Sequence, residues 1–110
     1  MAITTLSKQA QEGGTYVVQF KFKDEDWSFV DPTSLSWWLS DENGSPVNNR
    51  ENVVVNLPAY DEYIVLKGND LTPGYKILTI KGTYNSNYGS DLPLHDSFKF
   101  YVRDLVGEDL

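Results

Sequence analysis

Apolar and polar side chains alternate with a period of two through much of this chain. Residues 15–23 put Tyr16, Val18, Phe20 and Phe22 on one face and Val17, Gln19, Lys21 and Lys23 on the other. That spacing predicts a half-buried β-strand. Residues 34–40 repeat it, with Leu35, Trp37 and Leu39 facing one way and Trp38 the other. Further strands are predicted at 46–48, 53–55, 63–67 and 75–84, and Phe98, Phe100 and Val102 alternate in a last one. No segment carries a helix start signal followed by helical periodicity.

Turn residues divide these runs. Asn43-Gly44 reads as a type I′ hairpin turn, which needs positive φ at both central positions. Pro73-Gly74 reads as a tight corner feeding the strand that begins at Tyr75. Residues 24–33 form an acidic loop with two large aromatics, and 85–95 a long polar loop. The expected fold class is all-β, an antiparallel sandwich of about seven to eight strands. An N-terminal arm (1–14) precedes the sandwich (15–105), and a short tail (106–110) follows.

Composition narrows the possibilities. A chain of 110 residues should bury about 65% of its unfolded surface, enough for one core. With no cysteine, disulfides and thiolate metal sites are excluded. A net charge of −7 argues against nucleic acid, whose phosphates require clustered Lys and Arg. The start of the chain lacks the basic and apolar regions of a signal peptide, and no apolar run approaches the roughly 20 residues of a membrane span. The expectation is a complete small product made in a cytoplasm, with a domain cut from a larger surface protein as the other reading.

The strand order and the corner Leu71…Pro73-Gly74-Tyr75 resemble an immunoglobulin-like or fibronectin type III-like domain. In that superfamily a tyrosine after such a corner ties its hydroxyl back to the preceding loop. Here Tyr75 is in phase with Ile77 and Thr79, opposite to Leu78, Ile80 and Tyr84, which departs from the pattern. A narrower resemblance is to small immunoglobulin-like proteins of tailed bacteriophages. It is carried by Trp37…Leu39-Ser40-Asp41-Glu42-Asn43-Gly44, by residues 64–71, and by Thr83-Tyr84-Asn85-Ser86…Asp91-Leu92-Pro93-Leu94. This resemblance implies a non-enzymatic structural component of a virion (capsid decoration, neck or tail) assembled in the bacterial host cytoplasm. Its partners would be other virion proteins or further copies of itself.

Candidate chemistry is sparse. His95 is the only histidine, and its neighbour Asp96 would point to the opposite face of a strand, so no catalytic residue is assigned and no enzyme is expected. Asp24, Glu25, Asp26 and Asp91 are oxygen donors of the kind calcium takes, but they match no spaced calcium loop, so no metal or cofactor is assigned. If 15–23, 34–40 and 75–84 are the B, C and F strands, loops 24–33 and 85–95 meet at one end with the 58–61 connection. That end gathers Trp27, Phe29, Tyr60 and Tyr88 among Asp24, Glu25, Asp26 and Asp91, the composition of a binding surface. The competing reading folds Trp27 and Phe29 inward as a plug. Trp38, facing outward, joins the candidate contact residues, and exposed aromatics leave a carbohydrate-binding or adhesion module as the alternative function, with a surface glycan as its ligand. The 53–55 strand lacks an obvious edge guard, and the arm is a candidate to lie along a neighbour's sheet.

Overall fold

The computed structural model describes residues 4–56 and 58–104. These residues form an all-β protein in two sheets. The strands are β1 (Thr4–Thr5), β2 (Ala10–Gln11), β3 (Thr15–Lys21), β4 (Ser34–Asp41), β5 (Val53–Val54), β6 (Asp61–Lys67), β7 (Gly74–Ser86) and β8 (Gly89–Arg103), with a 3-10 turn at Gly68–Asp70. The larger sheet runs β1-β8-β7-β4-β5, and β2 also pairs with β8. The smaller sheet is β3 with β6. β1 and β2 run parallel to β8, whereas every other pairing is antiparallel.

The period-two pattern determines what is buried. Tyr16, Val18 and Phe20 of β3 join Ile64 and Leu66 of β6 against Leu35, Trp37, Leu39, Leu78, Ile80, Phe100 and Val102 of the larger sheet. Each large apolar side chain so buried contributes about 1.5–3 kcal/mol. Two ring contacts cross between the sheets. Tyr16 stacks on Phe100 with centroids 4.6 Å apart, and Phe20 lies 6.1 Å from Phe98.

Several expectations change. Residues 1–14 are not a detached arm where they are described, because β1 and β2 pair with this chain's own β8 and Ala10 is buried in the core. Asn43-Gly44 is not a type I′ turn. Of the two, only Gly44 has positive φ (85°), and the Asp41 carboxylate shapes the turn instead by accepting the amides of Asn43 (2.8 Å) and Ser45 (3.0 Å). The strand expected at 46–48 shrinks to one bridge between Ser40 and Pro46.

Nor is 85–95 a loop. β7 and β8 continue as a hairpin to the register pair Ser86–Gly89, with a bulge that places Asp91 at φ 54°. No residue from 81 to 97 is buried, and over 85–91 Tyr88 is the one large apolar side chain, so this tip of the hairpin carries no period-two signal. Tyr75 rests against Tyr101 at 5.0 Å, and its hydroxyl has no bond among the described residues. The tyrosine that anchors backbone is Tyr16, whose hydroxyl donates to Lys8 O at 2.6 Å.

Two positions to which the sequence reading gave no packing role hold the frame. A Cβ on Gly82 would lie 2.2 Å from Ser34 O, so glycine is what lets β7 approach β4. Asp70 is fully enclosed and accepts from Arg50 Nε (2.7 Å), Asn48 Nδ2 (2.8 Å) and Lys67 N (3.1 Å). Burial alone would raise the Asp70 carboxyl, but these donors outweigh it and hold it below the ordinary carboxylate range.

Replacing Gly82 with alanine should therefore destabilise the fold by about 1–3 kcal/mol as strands β4 and β7 separate, read as a lower urea midpoint at unchanged slope. D70N should cost about 2–3 kcal/mol at neutral pH, less than a fully buried pair because Arg50 keeps access to water. A carboxyl with a depressed folded pKa stabilises above its unfolded value, about 3.9, and loses that contribution as pH falls through the folded one. The gap between wild type and D70N should accordingly close on acidification below about pH 4, as read from denaturation curves.

Candidate functional site

Between β3 and β4 the chain doubles back on itself. Lys23 bridges Phe29, and Val30 N donates to Phe22 O at 3.1 Å. The tip is a closed five-residue turn, Asp24-Glu25-Asp26-Trp27-Ser28. Asp24 N donates to Ser28 O (2.9 Å), Trp27 N to Asp24 O (3.1 Å), and Asp24 Oδ1 accepts the amides of Asp26 (2.9 Å) and Ser28 (3.0 Å).

The same bonds recur in Asp41-Glu42-Asn43-Gly44-Ser45, residue for residue. In that second turn the left-handed fourth position belongs to Gly44 (φ 85°), where a missing Cβ removes the steric cost. In the first it belongs to Trp27 (φ 63°). A side chain there costs about 1–2 kcal/mol, and this one is 78% exposed, so burial does not offset the cost.

Two further aromatics lie beside the same turn, with Lys23 close to both Trp27 and Phe29. Phe29 lies 4.7 Å from Tyr60, and Tyr60 N donates to Asp31 Oδ1 at 2.8 Å, fastening the 58–61 connection to this loop. Lys23 Nζ stands 5.0 Å from the Phe29 ring and 5.9 Å from that of Trp27, and Lys21 Nζ is 5.9 Å from Phe29. Phe29 is 52% exposed, so neither loop ring is sealed into the core. Phe22 and Val30, their neighbours along the chain, pack there instead.

The acidic residues are spent differently. Asp24 closes the turn, Asp26 is exposed, and Glu25 Oε2 accepts from Tyr84 OH at 2.6 Å and Ser86 Oγ at 3.4 Å. Glu25 thereby ties the loop to the β7–β8 hairpin, whose turn carries Tyr88, itself 69% exposed. Asp91 N donates to Asn85 Oδ1 at 2.9 Å within the bulge. Among the described residues no group of three His, Asp or Glu side chains is placed to hold a metal ion. Trp38 stands apart: it is half-buried on the outer face of the larger sheet, with Lys81 Nζ 5.3 Å over its ring. His95, exposed on β8, sits opposite Lys81 in the ladder.

Sequence reasoning thus named most of this end but missed Lys21 and Lys23 as its cations and Tyr84 as its clasp. It also missed the repeated Asp-Glu-[Asp/Asn]-x-Ser pattern, which was legible as written. Comparison with protein-family models, curated proteins and solved structures found no match.

The Tyr84–Glu25 bond lowers the Glu25 carboxyl and raises the Tyr84 phenol, since ionising the phenol loses the bond and faces a carboxylate. In E25Q the Tyr84 ionisation should fall back toward the ordinary tyrosine range near about 10, followed by its ring carbon shifts in a pH titration.

Proposed function

We propose that this chain is a non-enzymatic binding module that docks on a protein partner through the Trp27 loop end. The observation that carries this reading is a tryptophan in a turn position that its twin fills with glycine. Strain that burial does not offset marks a site retained for contact rather than for folding. Trp27, Phe29 and Tyr60 supply rigid aromatic area, and Lys21, Lys23, Asp26 and Tyr88 supply a polar surround, the usual division between anchor and rim.

The strand arrangement supports an immunoglobulin-like sandwich as the scaffold. A parallel N-terminal pair on the last strand, the order β8-β7-β4-β5, and a facing β3–β6 pair are features of that plan. In such a scaffold the loops at one end form a natural contact surface. The setting we favour is the tailed-phage particle implied by the sequence resemblance, where a small module of this kind joins or decorates repeated subunits. A glycan-binding role has one indole free to serve it, Trp27, because Trp38 is half-buried beneath Lys81.

W27G should fold with stability unchanged or raised by up to about 1 kcal/mol, since relief of left-handed strain offsets the added freedom of the unfolded chain. On this reading wild type should co-sediment with phage particles at fixed stoichiometry, and the same variant should lose that co-sedimentation. A chain that never accompanies particles sinks the virion setting. Saturable quenching of tryptophan fluorescence by a sugar, abolished in W27G, would move the reading to a glycan module.

A further inference from the structure

The smaller sheet has only two strands, and the phase of its ladder shows what its edges offer. β3 and β6 pair from Thr15–Lys67 to Lys21–Asp61. Beyond either end of that ladder, Gly68 N donates to Gly14 O (3.1 Å) and Phe22 N to Tyr60 O (2.8 Å). In an antiparallel pair, bonded and non-bonded residue pairs alternate, so the even-numbered residues bond each other across the ladder. The N–H and C=O groups of Asp61, Tyr63, Val65 and Lys67 therefore point away from β3.

The Lys67 amide is taken by Asp70 Oδ2 at 3.1 Å. Among the described residues the backbone groups of Tyr63 and Val65 have no partner. Their side chains are 62% and 42% exposed on the outer face. A bare edge of this kind is a template for another strand.

We propose that β6 is a self-association edge, on which a second copy of this chain adds its own β6 antiparallel across a two-fold axis at Ile64. The register follows from two constraints. Hydrogen bonding requires odd residues to face odd residues, which leaves axes at Tyr63, Ile64 or Val65. The outer-face charges then choose among them. An axis at Ile64 sets Asp61 opposite Lys67 of the other copy, twice by symmetry, and Tyr63 opposite Val65. An axis at Tyr63 sets Asp61 opposite Val65, and one at Val65 sets Tyr63 opposite Lys67.

Among the described residues the Asp61 side chain accepts only the Gln19 amide (2.9 Å), and Lys67 has no ion pair. Opposite charges and an aromatic facing a β-branched residue are the favourable cross-strand pairs. The other edge, β3, offers no such match, since a two-fold axis at Val18 sets Lys21 opposite Thr15. Joining the two small sheets yields one four-stranded sheet, and the association is isologous, so it closes at two copies.

Sedimentation velocity over a concentration series tests this on the full chain. Wild type should dimerise, and D61K, which sets lysine against lysine twice, should weaken the dimer about tenfold or more. The double variant D61K/K67D restores opposite charges and should recover most of the affinity. Amide exchange at Tyr63 and Val65 should slow as wild-type concentration rises, with no such slowing in D61K. A chain that stays monomeric at all concentrations overturns the proposal and leaves the Trp27 reading standing. A dimer that D61K does not weaken, or that D61K/K67D does not rescue, overturns the β6 register.

Discussion

Everything in this molecule rests on the sealing of one two-stranded sheet against a larger one. A lone pair of strands is marginal in water, because each residue it orders costs more conformational entropy than its few ladder bonds return. β3 and β6 persist because Tyr16, Val18, Phe20, Ile64 and Leu66 are taken out of water by the inner face of β4, β7 and β8. The Tyr16–Phe100 stack and the Phe20–Phe98 contact are the places where the two layers meet through rings. Central strand β7 transmits that contact sideways, since it is paired along both edges and Gly82 lets β4 come close.

A frame of this kind leaves its ends and edges for recognition. The two ends differ in how they use polar groups. At one, Asp70 is enclosed and fully bonded, a fastening between the 47–50 segment and the end of β6. At the other, loop aromatics stand in water beside lysines, and the acids around them serve turn geometry and a clasp to the hairpin. The pair of matched five-residue turns makes the contrast concrete. One backbone design is built twice, once with the residue that minimises strain and once with an exposed indole.

Edges follow a related logic. The N-terminal strands cover the outer side of β8, and short β5 ends the other side of the large sheet. No described strand covers β3 or β6 on its outer side, so the thinner layer carries the more available backbone. Its outward residues, Val17, Tyr63 and Val65, were only partly foreseeable. Val17 sits in clean alternation with Gln19 and Lys21. Tyr63-Ile64-Val65-Leu66 is apolar at every position, so period alone does not say which pair faces water.

What the chain alone determined is its strand class, the buried faces of β3, β4 and β8, and the gathering of Trp27, Phe29 and Tyr60 at one end. Those follow from period-two patterning and chain order, which are local and additive. Tertiary structure decided the hairpin over 85–95, the covering of Trp38 by Lys81, and the placement of the N-terminal residues on β8. Each of these depends on which partner strand happens to lie alongside. For Trp38 and the N-terminal residues the two halves lie far apart in sequence, so no short window contains both, and the hairpin, though local, carries little apolar signal at its tip.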